Sequence, residues 1–188
     1  AVGRYRGDGN FETALVPVVP ATGQQQLSFF GIIFQQAIQV PHTGFGRSLA
    51  QNDTNIFVGF PGMYETNSQA QTGQNAPGGV SVFRRDGTSI QQQLLERSSG
   101  PARINFGEKI VADNDAVFVM DNGANHITRY NAIPQGSNFR YEYTTNPLTS
   151  SSVGSRTFTQ MKQSDNYVVV GSVGNTSSTP GRVWAIKK

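Results

Sequence analysis

The feature that most constrains this chain is that it repeats itself. Phe45-Gly-Arg-Ser-Leu-Ala50, a polar turn, and Asn55-Ile-Phe-Val-Gly59 return as Phe106-Gly-Glu-Lys-Ile-Val-Ala112, another polar turn, and Ala116-Val-Phe-Val119. A third copy reads Arg156-Thr-Phe-Thr-Gln-Met161, a turn, and Tyr167-Val-Val-Val-Gly171. A third apolar run follows each pair, at Gly79–Phe83, His126–Asn131 and Gly181–Ile186. A fourth follows the first two, at Ser89–Glu96 and Asn138–Tyr143. The N-terminal region fits the same frame, with Ala14–Pro20, Gln26–Phe30 and Ile33–Val40 in the second, third and fourth places. A segment that recurs with its internal spacing kept is one structural unit, and its apolar face is buried by the neighbouring unit.

The runs are short, rich in β-branched residues, and punctuated by Gly, Pro, Asn and Asp, which is the pattern of strands and turns. No apolar stripe of helical period lasts three turns. A unit of four strands over about 47 residues matches a propeller blade. The expected fold is therefore all-β: a β-propeller-like array of about four four-stranded blades in one domain, 1–188. The repeats fall at roughly 1–44, 45–105, 106–154 and 155–188, and the last stops after its third strand. Phe45, Val58, Phe106, Val119, Val169 and Trp184 are expected in the core.

These residues resemble the FG-GAP repeat family, whose pattern is roughly Phe-Gly-x-Ser-Val-Ala, a polar turn, Val-Val-Gly-Ala-Pro, a loop, and Gly-x-Val-Tyr-Val-Phe. Phe45–Ala50, Ile56-Phe-Val-Gly-Phe-Pro61 and Gly79-Val-Ser-Val-Phe83 follow it closely. Phe106–Ala112 with Val117–Val119 follows the first half, and Val168–Gly171 with Gly181–Trp184 the second. The resemblance implies an extracellular β-propeller and is silent on ligand. Family propellers usually have about seven blades; four here imply a compact ring, or a ring completed by a homo-oligomer or by other subunits. Some members hold calcium through Asp-x-Asp-x-Asp-Gly-x-x-Asp. The nearest match, the degenerate loop Arg4–Glu12 with Asp8, Asn10 and Glu12, keeps Asp8, Gly9 and Glu12 in the right places, but Arg4 and Arg6 occupy the first two ligand places. No metal is expected there, because two cations oppose a third.

Composition narrows the function classes. Charged residues make up 14%, against about 25% in average domains. There is no Cys, which excludes a disulfide scaffold, a thiolate zinc site and a cysteine nucleophile. A formal net charge of +3 is too mild to argue for nucleic acid. The longest apolar run, Leu27–Phe34, is broken by Ser28 and Gly31 and falls far short of the roughly 20 residues of a membrane helix. No basic-then-apolar leader opens the sequence, so a signal peptide is expected to be absent or removed.

Catalytic motifs are thin. His42 and His126 lack zinc-ligand spacing, and no nucleophile elbow or phosphate-binding glycine loop occurs. Asp113, Asp115 and Asp121 could gather around an ion, although Asp in such places serves turns. Arg6-Gly7-Asp8 spells an integrin-ligand tripeptide, but the decayed loop explains it. Glu65 and Glu108 are the carboxylates to inspect for a glycosidase pair. Tyr64 and Tyr130 could stack on sugar rings. Arg84, Arg85, Arg97 and Arg103 surround the hairpin Arg85-Asp-Gly-Thr88 and form either an anion-binding patch or a solvated rim.

The reading that follows is a non-enzymatic recognition or assembly module on an extracellular or virion surface, with no cofactor. Its partner is a glycan or a protein surface. The long polar loop Tyr64–Gly78 has one charge, Glu65. Its amides and hydroxyls lose less than ions do on desolvation, which suits neutral partners. The ligand-binding candidates are Tyr64, Glu65, Asn67, Gln69, Gln71, Arg84 and Arg85. The alternative is a polysaccharide-active enzyme with a cleft on one propeller face.

Overall fold

The computed structural model describes residues 2–5, 11–15, 23–29, 32–38, 42–63, 78–85, 91–96, 105–122, 125–154, 156–174 and 179–188. The first strands are β1 (Val2–Tyr5), β2 (Phe11–Leu15), β3 (Gly23–Phe29), β4 (Ile32–Ile38) and β5 (His42–Thr43). β6 (Ser48–Gln51), β7 (Asn55–Phe60), β8 (Gly62–Met63), β9 (Gly79–Arg84) and β10 (Gln91–Leu95) follow. Next come β11 (Phe106–Ala112), β12 (Ala116–Asp121), β13 (His126–Gln135) and β14 (Asn138–Leu148). One helical turn, α1 (Ser150–Val153), precedes β15 (Arg156–Gln163), β16 (Tyr167–Gly174) and β17 (Arg182–Lys187). The fold is all-β.

Three antiparallel meanders carry the architecture: β6-β7-β9-β10, β11-β12-β13-β14 and β15-β16-β17. The N-terminal strands pair as β1–β2 and β3–β4, while β5 pairs with β8. Side chains alternate between the two faces of a strand, and in the middle meander both faces are covered. On one face Val117, Val119, Tyr130 and Tyr141 join Phe57, Val80, Val82 and Leu95 of the preceding sheet in one cluster. On the other, Ala116, Phe118, Met120 and Ile127 meet Phe158, Met161, Val168 and Val170 of the following sheet. This is why β12 is buried along its whole length and reads as a continuous apolar run. Each large apolar side chain so buried contributes roughly 1.5–3 kcal/mol.

The repeat is conformational as well as textual. Gly44-Phe45-Gly46 has φ of 77° and 88° at its glycines, and Asn105-Phe106-Gly107 has 78° and 91° at the matching positions. A Cβ on Gly107 would lie 2.5 Å from the Gly79 carbonyl oxygen, so glycine is required there both for its backbone angle and for space. The first hairpin of each unit closes alike, through Asn52 N–H to Asn55 O, Asp113 N–H to Ala116 O and Ser164 N–H to Tyr167 O (3.1, 3.0 and 2.8 Å). The third strand then clasps each turn, through Arg85 N–H to Thr54 O, Ala132 N–H to Asp115 O and Lys188 N–H to Asn166 O.

Several sequence expectations need adjustment. Val58, Phe106 and Val119 are buried. Phe45 and Trp184 are half-buried, packed against core clusters at their edges. Val169 is 39% exposed, because the alternation of β16 turns Val168 and Val170 inward and Val169 outward. Of the expected strand Ala14–Pro20, Ala14 and Leu15 lie in β2 (Phe11–Leu15), and residues 16–20 lie outside the described residues. The third and fourth strands of the middle sheet run on to Gln135 and Leu148, giving a long hairpin that projects beyond its neighbours.

Candidate functional site

The turn ends of the meanders are stitched to one another by polar side chains. Asn52 Oδ1 accepts from the Thr54 and Asn55 amides, at 3.1 and 2.8 Å. Its Nδ2 donates to the Asp113 carbonyl and to the Tyr141 hydroxyl, both at 2.9 Å. Asn55 Nδ2 donates to the same hydroxyl at 3.0 Å. Burial pushes the Tyr141 phenol up, against the pull of the Asn52 and Asn55 hydrogen bonds. One turn further on, Asp113 Oδ1 accepts from the Asp115 and Ala116 amides at 2.9 Å each, and Oδ2 takes Lys188 Nζ at 2.6 Å. Burial alone would raise this carboxyl, but the Lys188 hydrogen bond and the two amides outweigh it and hold it below the usual carboxylate range. Gln163 Nε2 reaches back to the Ala112 carbonyl at 2.6 Å.

Beside this laced edge lies a polar groove between the 52–55 turn, the end of β9 and the projecting β13–β14 hairpin. One part, about 330 Å³, is lined by Asp53, Thr54, Arg84, Arg85, Ser137 and Asn138. The adjoining part, about 440 Å³, is lined by Gln93, Gln135, Asn138, Phe139 and Arg140. Asn138 belongs to both. The groove wall is held by Gln93, which donates from Nε2 to the Tyr141 carbonyl at 2.7 Å and accepts at Oε1 from the Tyr141 amide at 2.9 Å. This amide side chain stands in for a neighbouring strand and fixes β14 against β10. Arg85 donates to the Asn52 carbonyl at 3.3 Å, and Asp53 Oδ2 accepts from Asn114 Nδ2 at 2.6 Å. Guanidinium, amide and hydroxyl groups thus face a shared open space beside one aromatic ring. Such a set can donate and accept hydrogen bonds to a hydroxylated ligand, with Arg able to take a carboxylate in bidentate fashion.

Of the sequence candidates, Arg84 and Arg85 line this groove. Tyr64, Glu65, Asn67, Gln69 and Gln71 lie outside the described residues, as do Asp8, Asn10, Arg97 and Arg103. Glu12 lies in β2. The aspartate trio does not assemble: Asp113 and Asp115 share a turn, while Asp121 sits buried at the far end of β12, roughly 20 Å of strand from Asp115. Among the described residues no group of three His, Asp or Glu side chains is placed to hold a metal ion. Glu108 is an inter-unit ion-pair partner, 3.3 Å from Arg47. Tyr130 is not a loop aromatic. It lies in β13, 3% exposed and edge-on to Phe106 and Tyr143, with its hydroxyl donating to the Glu96 carbonyl at 2.6 Å.

Sequence reasoning missed the hairpin tip, Gln135 to Arg140. A cue was present: Pro134-Gln-Gly-Ser-Asn138 interrupts two alternating runs, as a hairpin turn does. None of the described helices is long and apolar enough to cross a membrane. No known protein family, curated protein or solved structure matches the chain.

Proposed function

We propose that this chain is a non-enzymatic recognition and assembly module of an extracellular or virion surface, built as a β-propeller-like array of FG-GAP-type units, with a glycan as ligand. The observation that carries the reading is the polar groove between successive units. Its walls are projecting turns, and its floor is a laced, rigid scaffold. Binding residues on loops held by a stiff β framework are a common division of labour. Uncharged amides and hydroxyls beside Phe139 suit sugar hydroxyls and the apolar face of a pyranose ring, and Arg84 and Arg85 suit an acidic substituent. The propeller reading is supported by the meander order, by face-to-face stacking of successive sheets and by the recurrent Phe-Gly joint.

A glycan array with the wild-type chain, followed by titration of the best ligand, tests the groove. Ser137→Trp places a bulky ring at the exposed hairpin tip and should weaken binding at least ~10-fold while leaving the melting temperature within a few degrees. Shortening Tyr64–Gly78 to a Gly-Ser link is the paired variant. Loss of binding in the shortened chain together with full binding in S137W would move the site from the groove to the loop. Turnover of a polysaccharide by the purified chain would overturn the class.

A further inference from the structure

We infer that the outer face of the β15–β17 sheet is an assembly surface, and that its occupant is a second copy of this chain, docked head to tail. The inference rests on reading the sheets as equivalent units, and that equivalence is set by hydrogen bonding rather than by sequence alone. The three matching turns align Phe57 with Phe118 and Val169. Strand pairing then aligns Val80, opposite Gly59, with Ile127, opposite Met120, and with Val183, opposite Gly171. These positions share one face of each sheet, the face that looks toward the next unit.

In the first two sheets that face is sealed. Phe57, Val80, Phe118 and Ile127 are all 0% exposed. What seals it is the following sheet, through Phe106, Ile110, Val119 and Tyr141 in one case and Phe158, Met161, Val168 and Val170 in the other. In the third sheet the same face is open: Val169 is 39% exposed and Val183 72%, with Tyr167 and Val173 at 44% and 51% beside them. Isolated exposed apolar residues are ordinary, but Val169 and Val183 stand together at positions that are buried in both preceding sheets, and that marks a contact surface.

The repeat also says what fits. At each inner joint the partner is an antiparallel sheet presenting an apolar face, so a chemically matched cover is another sheet of this kind. Among the described residues nothing covers this face, and a copy of the chain carries such sheets. Docking end to end continues the existing unit-to-unit contact. Head-to-tail contacts of this type are heterologous and make a ring where the rotation between copies closes. The expected species is a small closed homo-oligomer.

The chain has no cysteine, so V183C supplies a unique thiol. The measurements are native mass of the wild type and of Val183→Glu over a concentration series, and the maleimide reactivity of V183C. The expected result is a discrete wild-type oligomer, a monomeric V183E with an unchanged far-ultraviolet circular dichroism spectrum, and a V183C thiol at least ~10-fold less reactive where the oligomer is populated. Val169→Lys is the second variant and should act as V183E does. A wild-type monomer with a freely reactive V183C thiol overturns the proposal. So does a monomer whose thiol is protected, since the chain would then cover its own face. An oligomer that survives both V183E and V169K places the interface elsewhere and overturns it too. A monomer that still binds glycan through the groove would sink this proposal and leave the recognition reading standing.

Discussion

The turns at 52–55 and 113–116 have the same backbone and different chemistry. They occupy equivalent places 61 residues apart, and each is capped by the first side chain of the turn accepting from two amides. The cap needs only an acceptor, so Asn and Asp serve equally well. The second half of the side chain decides the rest. Asn52 has an amide NH₂ left over, and it donates into the joint between sheets, to the Asp113 carbonyl and the Tyr141 hydroxyl. Asp113 has only a second acceptor oxygen, so its outward partner must be a donor, and Lys188 fills that role. One atom's difference turns a neutral buried pin into a half-buried ion pair.

Exchanging the two side chains is the sharpest way to break that comparison. Asn52→Asp keeps the cap but points a carboxylate at the Asp113 carbonyl oxygen, in a site where Asn52 is only 7% exposed. The tyrosine hydroxyl can turn its proton toward the new anion; the carbonyl cannot. A buried carboxylate set against a carbonyl oxygen costs on the order of 3 kcal/mol. Denaturant unfolding at pH 7 should show that loss, and lowering the pH below about 4 should restore part of it as the new carboxyl protonates and regains a donor. A variant as stable as wild type at pH 7 would show that the pin has no energetic role.

Tyr141→Phe probes the same pin from the other side. It keeps the edge-on contact with Phe57, whose ring centroid lies 5.1 Å away, and removes the acceptor shared by Asn52 and Asn55. Two amide donors left short at a buried site should cost about 1–2 kcal/mol. Because Asn52 and Tyr141 act on one contact, the cost of N52D combined with Y141F should differ from the sum of the singles by at least ~0.5 kcal/mol in chemical unfolding. Additive losses would show that the two residues act separately.

The turns and the strands around them were legible in the sequence because they are local. Short apolar runs between polar turns predict β7, β9, β12 and β17 nearly to their ends. The lacing was not legible, since nothing in Gln-Asn-Asp-Thr54 says that an Asn side chain will meet a Tyr 89 residues later. Val169 was misjudged for a related reason. A run of valines carries no period-2 signal, so only pairing fixes which of them face the core. The groove followed the same rule: Arg84 and Arg85 stood out as charged neighbours, whereas Asn138 and Phe139 joined them only because β13 and β14 outgrow the sheet beside them.

The mildest exchange is Asp113→Asn, and pH makes it informative. The substitution keeps an oxygen for the Asp115 and Ala116 amides and places an NH₂ against the Lys188 ammonium. The pair lies near the surface, with the Lys188 and Asp113 side chains 16% and 26% exposed, so its loss at pH 7 should cost less than ~1 kcal/mol and shrink with added salt. The sign follows from the direction of the shift. Asp113 is held below its ordinary value of 3.8 in the folded chain, so the unfolded chain takes up a proton first on acidification. The carboxylate's contribution is complete above that ordinary value and fades as pH falls through the lower folded one. Unfolding free energies of wild type and D113N, measured from pH 7 down to about 3, should therefore converge toward the acid end. A gap that stays constant across that range would mean that the Asn variant perturbs the cap itself, and that the carboxylate's partner at this turn is not what separates it from the Asn52 turn.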